Sequence, residues 1–562
     1  MHKLKTLKNC LPLAACAAVL LFLVVCPLAW VFGRAVVDDD GTLDLSLALD
    51  TLMQSDNAQM VANSLLLGVL VVIVSTLIAA PLAFLFSRTR FARMRAFDII
   101  FMIPFMTPPY IASMGWILFM QKRGLLQQLV PAMQGCQDWF FTLGGLVAVM
   151  SFHVFPFMLS ILKNALLNVP SSLDEAGAVF GAGFGQRLRK LFLPLLSGNY
   201  AIAALLVFVK TLSEYGTPYT LGKRAGFEVF TTQIHRYASV APVQFGQAAA
   251  LASVLVSICL VMWLVQNWVT EHRSYDLVGT KGSRLVELRM SRPACALAWA
   301  FIVVVLGLSV GVPYFSVIAT SFINLRGLGL APGNFTWQNY IDLFSENGKG
   351  VSALLNSAFL GVASATICAV LGTLVVLAVR RCRKGGRAMR LAGKSLEAMG
   401  LLPEMLPGIV LVIGIMLFWN QIYSVLPLYN TMGILVLTYV VLFLPYSVQY
   451  VSSSFAQVGD SLMAAGRVFG GRPLYIFRRI TLPLVMRGVA TGWMMTFIIA
   501  FRELVAPSLI APTNTLVVST YIMREFEQGS VGIGMSMAVI CVLLTTTALL
   551  ALNRVGKGKA RG

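Results

Sequence analysis

Two ten-residue stretches decide how this chain is organised. Residues 172–181 read SLDEAGAVFG, and residues 461–470, placed 289 positions later, read SLMAAGRVFG. The same offset relates further residues: Pro156 and Pro445, Leu193-Pro194 and Leu482-Pro483, Glu214 and Glu503, Pro218 and Pro507. Upstream the offset drifts, so that Asn63-Ser64 matches Asn356-Ser357 and Pro104 matches Pro403. Self-similarity at a fixed distance indicates a duplicated structural unit, and the sequence therefore predicts two related halves.

The residues around these stretches are mostly apolar. Hydrophobic residues make up 58% of the 562 and charged residues 12%, whereas a soluble domain carries about 25% charged residues. A chain this poor in charge cannot cover a water-facing surface, so lipid is expected to be its main solvent. The nine cysteines are scattered without a CxxC spacing, which argues against both a disulfide framework and a cysteine metal site.

Apolar segments of about 20 residues, the length that crosses a membrane as a helix, occur twelve times. They lie near residues 11–33, 63–86, 96–119, 143–167, 197–221, 245–269, 295–320, 355–379, 396–418, 431–451, 485–510 and 532–553. The first is too long for a cleaved signal peptide and is expected to stay as a membrane helix. The sequence thus predicts an all-α membrane protein with twelve transmembrane helices, and an even number places both termini on the same side.

Basic residues fall in short clusters between the apolar segments, and they give the chain a net charge of +20. Clusters at 3–8, 88–95, 380–394 and 554–561 share one side of a twelve-helix topology, whereas the loop at 38–56 carries six aspartates. Because basic loops stay in the cytoplasm, the sequence predicts a multi-pass protein of the bacterial inner membrane with both termini cytoplasmic. Anionic membrane lipid, rather than nucleic acid, is the expected partner of this charge.

The repeat and the spans together define the expected domains. Residues 1–269 are expected to form an N-terminal lobe of six helices, residues 270–294 a basic cytoplasmic linker, and residues 295–562 a C-terminal lobe of six helices. Two lobes with the same orientation are related by an axis along the membrane normal. The predicted architecture is therefore pseudo-symmetric.

Each lobe places a hydrophilic, glycine-containing segment on the cytoplasmic side between its fourth and fifth helices, at 168–196 and 456–484. The marked residues are Glu175, Ala176, Gly177, Gly181, Leu193 and Pro194 in the first segment, and Ala464, Ala465, Gly466, Gly470, Leu482 and Pro483 in the second. We expect a short helix across the membrane face, a glycine that turns the chain and a proline that starts the next membrane helix. Such an element can sit in a groove on a soluble partner and pass its movement to two membrane helices.

These segments resemble the EAA loops of binding-protein-dependent ABC importer permeases, including the distance from the second glycine to the leucine-proline pair. The resemblance covers nearly the whole chain and implies the type I ABC importer permease fold. It also implies a periplasmic or lipid-anchored substrate-binding protein and two copies of an ABC ATPase as partners. The second segment has Ala464 where the family usually has a glutamate, so Glu175 is expected to make the ATPase salt bridge alone.

One outer loop departs from the charge pattern. The loop at 222–242 carries Lys223, Arg224 and Arg236 on the predicted outside. Its His235 is a candidate contact for the substrate-binding protein.

The sequence offers no nucleotide site. A phosphate loop at 386–395 would need a glycine at position 388, which is Ala388, and no predicted strand precedes it. ATP and magnesium are therefore expected on the separate ATPase subunits. This chain is expected to be a permease without a cofactor, and not an enzyme.

Charges inside membrane helices are costly and mark functional candidates. The fifth helix carries Lys210 and Glu214, four residues apart and so on one helical face, and the eleventh carries Arg502 and Glu503. We expect these four to line a translocation pathway, where Glu214 and Glu503 would contact a hard metal cation transiently. The alternative is that they form structural ion pairs. Broken helices often line such pathways, and the third and ninth helices are expected to break at their prolines: Pro104, Pro108, Pro109, Pro403 and Pro407.

Three short motifs resemble signatures of ferric-iron permeases: SEYGTP at 213–218, LPEMLPG at 402–408 and RELVAP at 502–507. Ferric iron is therefore the first choice of cargo, although Val505 and Ala506 replace the proline-threonine that many iron permeases show. A phosphonate, thiamine, a polyamine or an oxyanion remains open as cargo. Outside the ABC class the alternative is an ion-gradient-driven secondary transporter, which would lack two matched EAA loops.

Overall fold

The computed structural model of the chain describes residues 13–37, 45–94, 96–133, 135–273, 288, 290–345, 349–383, 385–458 and 460–557. Several features of the sequence lie outside these residues: the basic cluster at 3–8, the aspartates at 38–44, most of the linker at 270–294, and Lys559 and Arg561. The described residues are almost entirely helical.

Long apolar segments form helices in lipid because a helix satisfies its own backbone donors and acceptors. Within the part of the chain that the structure describes, ten helices are long and apolar enough to cross a membrane: Leu13–Val36, Ser55–Arg88, Leu143–Asn168, Gly185–Ser213, Phe245–Thr270, Arg292–Phe322, Gly350–Arg383, Met432–Ala456, Phe477–Phe501 and Val531–Leu550. Two pairs of helices are bent, Ala96–Met106 with Pro109–Met120 at 88° and Arg387–Met405 with Gly408–Gln421 at 111°, and the total is twelve when each bent pair counts as one span. These elements coincide with the twelve predicted segments, so the prediction of an all-α membrane protein is confirmed.

Shorter helices connect the spans. They are Leu45–Met53, Leu125–Leu129, Cys136–Phe140, Ser171–Val179, Phe230–Ser239, Gln338–Phe344, Asp460–Val468, Val505–Ile510 and Val518–Gln528. Single turns of 3-10 or π-helix lie at Arg90–Arg93, Pro131–Met133 and Pro218–Gly222. Two of the short helices recur at matching places in both halves of the chain, Ser171–Val179 with Asp460–Val468 and Phe230–Ser239 with Val518–Gln528.

The two bends have the predicted cause, but only some of the prolines produce them. Thr107 and Leu406 adopt extended backbone immediately before Pro108 and Pro407, because a proline ring disfavours helical geometry in the residue before it. Pro104, by contrast, lies in the first turn of its short helix, where its missing N–H costs little. Each of the two spans is thus broken at one point near its middle.

The chain folds into two compact units. The first comprises Met1–Thr51, Ile234–Val256 and Trp337–Gly562, and the second comprises Leu52–Gln233 and Ser257–Thr336. Each unit therefore includes the opening membrane helix of the opposite half of the sequence. The lobes at 1–269 and 295–562 were inferred from the sequence repeat rather than from packing, and that division stays a prediction.

Each unit is organised around three long helices that pack on one another. In the second unit these are Ser55–Arg88, Leu143–Asn168 and Gly185–Ser213, and in the first unit they are Gly350–Arg383, Met432–Ala456 and Phe477–Phe501. Glycines allow the opening helices to approach closely. A Cβ on Gly115 would lie 2.7 Å from the carbonyl oxygen of Pro313 in the second unit, and one on Gly414 would lie 2.8 Å from that of Pro27 in the first.

Candidate functional site

The two EAA-like segments fold alike. Each begins with a short helix, Ser171–Val179 or Asp460–Val468, which we call the loop helices. Gly181 and Gly470 end them, both with φ at +77°. The amide after each of these glycines donates a hydrogen bond of 2.9 Å to a carbonyl five residues earlier. This is the Schellman arrangement, and glycine adopts its left-handed conformation without strain, so the turn itself explains the second glycine of each motif.

The turn exposes an apolar pair at the end of each loop helix. Val179 and Phe180 are 84% and 89% exposed, and Val468 and Phe469 are also 84% and 89% exposed. Glu175, Ala176, Ala464 and Ala465 are exposed as well. Apolar side chains exposed in this way mark an interaction surface, and the same surface is present in both halves.

In the first segment an ion pair fastens the loop helix to the membrane helix that follows. Arg187 Nη1 donates to Asp174 Oδ1 at 2.7 Å, and the two side chains are only 14% and 5% exposed. Gly177 lets the arginine stem pass close by, since a Cβ there would lie 3.2 Å from Arg187 Cδ. The first glycine of the motif therefore serves helix packing, while Gly181 serves the turn.

The second segment achieves the same packing without the ion pair. The offset of 289 places Met463 and Ile476 where the first segment has Asp174 and Arg187. Ile476 is buried, and a Cβ on Gly466 would lie 3.3 Å from its Cγ1 and 2.9 Å from Ile480 Cδ1. One loop helix is thus held by a buried salt bridge and the other by apolar contacts.

In both segments the predicted proline lies in the first turn of a regular α-helix, Leu193–Ser213 or Leu482–Phe501, and this helix continues a span that begins earlier. Pro194 lies inside the helix Gly185–Ser213, and Pro483 lies inside Phe477–Phe501. A five-residue π-helical turn precedes the leucine-proline pair in both cases, at Leu188–Phe192 and at Phe477–Thr481. The wider turn accommodates a ring that would clash with a carbonyl in a regular α-helix, so each loop connects rigidly into its membrane helix. Leu193 and Pro194 are exposed.

The fifth and eleventh membrane helices end earlier than predicted. The first of them stops at Ser213, next to Glu214, and the second stops at Phe501, next to Arg502 and Glu503. The sequence predicted that these helices extend to residues 221 and 510. Each predicted pathway glutamate therefore lies at a helix break rather than on a continuous helical face.

Each glutamate carboxylate caps the short helical segment that follows the break. Glu214 Oε1 accepts a hydrogen bond from the backbone N–H of Thr217 at 2.9 Å. Glu503 Oε1 accepts one from the backbone N–H of Val505 at 2.9 Å. Acidic groups are favoured at helix N-termini because free N–H groups point outward there. The two carboxylates thus perform the same local task in the two halves.

A matched set of hydrogen bonds fixes both breaks. In the second unit, Asn63 Nδ2 donates to Glu228 O at 3.1 Å, Phe230 N donates to Ser64 Oγ at 2.9 Å, and Thr231 Oγ1 donates to Glu214 O at 2.9 Å. In the first unit, Asn356 Nδ2 donates to Leu516 O at 2.9 Å, Val518 N donates to Ser357 Oγ at 2.8 Å, and Ser519 Oγ donates to Glu503 O. The Asn-Ser pairs matched by the sequence repeat therefore have one structural role, which is to fasten the short helix that follows each break.

Lys210 of the second unit lies against an aromatic cluster. The ammonium of Lys210 lies 6.0 Å from the centre of the Phe157 ring. Phe157 in turn packs edge-on against Phe105 at 4.5 Å, and Phe105 lies 6.4 Å from the His153 ring. His153 is thus packed among aromatic side chains.

At the positions that the repeat matches to this aromatic cluster, the first unit carries carboxylate and phenol groups. Gln449 Nε2 donates to Glu404 Oε2 at the end of the helix Arg387–Met405. Tyr446 interacts electrostatically with Glu404, Tyr450 and the pair Arg502 and Glu503. We call Glu404, Tyr446, Tyr450 and Glu503 the oxygen cluster. The repeat places Phe105 at the position of Glu404 and Phe157 at that of Tyr446, so the cluster belongs to one half alone.

The four predicted pathway residues are distributed between the units. Lys210 and Glu214 lie in the second, and Arg502 and Glu503 lie in the first. That Glu214 and Glu503 face one pathway stays a prediction. Sequence reasoning missed the tyrosines of the oxygen cluster, although Glu404 lay within a motif already singled out. Among the described residues, no three His, Cys, Asp or Glu side chains are grouped as a metal site.

His235 contacts two serines, and its role as a contact for the substrate-binding protein stays a prediction. It lies in the helix Phe230–Ser239, its Nε2 lies 3.2 Å from Ser508 Oγ, and its Nδ1 lies 3.1 Å from Ser239 Oγ. Ser508 belongs to Val505–Ile510, the short helix capped by Glu503. His235, Ser239 and Ser508 all belong to the first unit.

One protein-family model matches both parts of the chain that carry these repeated features. The model for the binding-protein-dependent transport system inner membrane component matches residues 72–273 and again residues 387–558. The chain belongs to this family. The two matches cover both EAA-like segments and both helix breaks, and the predicted resemblance and permease function are confirmed. The protein is therefore a multi-pass inner-membrane permease of a transport system with substrate-binding and ATPase partners.

Two relatives match nearly the whole of this permease, and a third matches less than half of it. The ferric transport system permease protein FbpB of Actinobacillus pleuropneumoniae is 26% identical over 94% of this chain and 75% of its own length. The Fe(3+)-transport system permease protein FbpB 2 of Haemophilus influenzae is 23% identical over 95% of this chain and 97% of its own. A putative 2-aminoethylphosphonate transport system permease protein PhnV of Salmonella typhi is 24% identical over 43% of this chain and 88% of its own.

Proposed function

We propose that this permease imports ferric iron, driven by two copies of a separate ATPase subunit that bind one loop helix each. The observation that carries the ATPase part is the matched pair of exposed tips, Val179-Phe180 and Val468-Phe469. ATP and magnesium would bind the ATPase subunits and not this chain. With the loop helices in the cytoplasm, an even number of spans puts both termini there too.

The structure of the loops supports transmission of movement. Each loop helix is packed on the membrane helix that follows it, and a continuous helical path leads from there to Ser213 or Phe501. The helix breaks at Glu214 and Glu503 follow directly after Ser213 and Phe501. A displacement of a loop helix by an ATPase would therefore reach a capped helix break without crossing a flexible joint.

Two observations support ferric iron as the cargo. Relatives that span nearly the whole chain are named as ferric transport permeases, and the oxygen cluster offers carboxylate and phenol oxygens, which are donors suited to a hard cation. Glu404 and Glu503 would contact the ion transiently. Glu214 would make the equivalent contact in the other half of the permease. A phosphonate is the second candidate, because a relative named for 2-aminoethylphosphonate matches one half. The carboxylates of the cluster would repel that anion.

Docking of the ATPase is tested with Phe180→Ser and Phe469→Ser. The proteins are purified from membranes, and the ATPase subunit that accompanies the wild type is quantified. Each single variant is expected to retain less ATPase and the double variant almost none, whereas Phe344→Ser, which is also exposed but remote in sequence from both loops, should retain the wild-type amount. Full retention in the double variant would contradict the docking proposal.

The cargo is tested by uptake of radioactive ferric iron into cells that produce the complete transporter. Glu404→Gln and Glu503→Gln are expected to reduce the rate at least tenfold while the permease stays in the membrane at normal abundance. Glu397→Gln is the control, since Glu397 pairs with Arg383 outside the cluster. Iron uptake at the wild-type rate in the double variant would refute the carboxylate contacts, and uptake of 2-aminoethylphosphonate in place of iron would assign the second candidate.

A further inference from the structure

A cluster of cations lies at the end of the second unit that is remote from its loop helix. Lys122 and Arg123 follow the helix Pro109–Met120, and Arg326 follows Arg292–Phe322. All three side chains are exposed, and they line a cavity of about 260 Å³. The helix of 26 residues from Leu143 to Asn168 separates this end from the loop helix by about 39 Å.

The loops that carry these cations are fastened to each other. Arg326 Nη2 donates to Gln121 Oε1 at 2.8 Å, and the backbone N–H of Leu330 donates to Gln128 Oε1 at 2.8 Å. Gln128 Nε2 also donates to the carbonyl of Arg123 at 3.0 Å. Two separate loops therefore present their charges from one preformed surface.

Arg224 adds a fourth positive charge to those of Lys122, Arg123 and Arg326. Partial burial and the nearby charge of Arg326 lower the pKa of Arg224. Like charges held near each other favour the approach of an anionic surface. We call Lys122, Arg123, Arg224 and Arg326 the basic platform.

Positive charge at this end runs against the usual distribution. Basic residues concentrate on the cytoplasmic side of membrane proteins, and the loop helices occupy that side under the proposed function. The platform residues all belong to the second unit, and the matching segment of the first unit lacks such charge. Residues 420–430, which the repeat matches to the loop after Met120, contain no lysine or arginine. Residues 38–51, assigned to the first unit, carry five aspartates and no basic residue in the sequence. These two segments thus differ from the platform in charge.

We propose that the basic platform binds an acidic surface on one lobe of the substrate-binding protein and thereby decides which lobe docks on the second unit of the permease. This inference rests on the proposed function, in which the platform faces outward. Binding proteins close around their ligands as two lobes, and a pseudo-symmetric permease offers them two similar halves. Complementary charge steers association and rejects the reversed orientation, where like charges would meet.

The test titrates the iron-loaded binding protein against the reconstituted transporter and measures ATP hydrolysis at 50 and 300 mM NaCl. In the triple variant Lys122→Gln, Arg123→Gln, Arg326→Gln, the half-maximal concentration is expected to rise at least tenfold at 50 mM NaCl. The difference should shrink at 300 mM because salt screens exposed charges. Hydrolysis at saturation should match the wild type, since the ATPase docks at the other end.

A matched pair of single variants separates the platform from charge in general. Arg326→Gln should raise the half-maximal concentration severalfold, and Lys349→Gln, an exposed cation in another loop at the same predicted face, should leave it unchanged. An unchanged value in the triple variant, or equal shifts in the two single variants, would overturn the inference. A wild-type transporter that no binding protein stimulates would instead refute the proposed function.

Orientation is read by cross-linking. With Arg326→Cys and a short bismaleimide, single cysteines on either lobe of the binding protein are compared by mass spectrometry. Cross-links to one lobe alone are expected. Equal cross-linking to both lobes would contradict the assignment of orientation to the platform.

Discussion

Replacing Arg187 with isoleucine removes one partner of the buried ion pair that fastens the first loop helix. The remaining carboxylate of Asp174 is 5% exposed, so water cannot replace the lost partner without opening the contact. Breaking a buried pair in this way costs about 3 kcal/mol or more. Because about 1.4 kcal/mol corresponds to a factor of ten, the packed position of the loop helix should become on the order of a hundredfold less favoured.

The chain itself supplies the compensating change. The second segment has Met463 and Ile476 at the positions of Asp174 and Arg187, and replacing a whole buried ion pair by apolar residues is often neutral. The double variant Asp174→Met, Arg187→Ile should therefore recover what Arg187→Ile loses. Arg189→Ile is the control, because Arg189 is exposed on the same helical segment.

The assay measures iron taken up per ATP hydrolysed in proteoliposomes, together with the rate at which a protease cleaves the chain at residues 170–184. Arg187→Ile should lower the uptake ratio and speed cleavage at least tenfold. The double variant and Arg189→Ile should resemble the wild type in both measurements. Wild-type values for Arg187→Ile, or a double variant no better than the single, would refute the reasoning.

Three further predictions concern local geometry. Gly470→Ala should destabilise the second loop by about 1 kcal/mol or more, because an L-residue is strained at φ +77°. Gly183→Ala is the control and should have no such effect, since Gly183 lies in open space without positive φ. The rates of proteolysis in the two loops compare the variants. Ser357→Ala should cost about 1 kcal/mol by leaving the buried N–H of Val518 without its acceptor, read as a lower thermal midpoint in detergent, and an unchanged midpoint would count against this bond. Gly115→Leu should reduce folded permease in the membrane severalfold, since Pro313 occupies the space; normal abundance would contradict the close packing.

Much of the fold follows from hydrophobic length. A span such as Leu143–Asn168 is recognisable because about 20 apolar residues have few stable alternatives to a membrane helix. The bends before Pro108 and Pro407 were also predictable, because the proline ring acts on the residue immediately before it. The turns at Gly181 and Gly470 were visible as repeated glycines. These are local effects, and a single sequence carries them.

The details that were missed depend on contacts between distant residues. The helix before Glu214 looked continuous to residue 221, because nothing local reveals that Thr231 would hold the Glu214 carbonyl. Asp174 and Arg187 are thirteen positions apart and belong to no helical spacing rule, so their pairing could not be read from the pattern. The oxygen cluster likewise joins Glu404 to tyrosines of another membrane helix, and only packing brings them together.

The central claim is that both loop helices face the cytoplasm and receive an ATPase subunit. Its most direct test introduces Val179→Cys and Val468→Cys separately and measures labelling by a membrane-impermeant maleimide above the background of the native cysteines. Both positions should be unlabelled in intact spheroplasts, labelled in inside-out vesicles stripped of ATPase, and protected again when purified ATPase is added. Labelling of either position in spheroplasts, or labelling that the ATPase does not reduce, would contradict the claim.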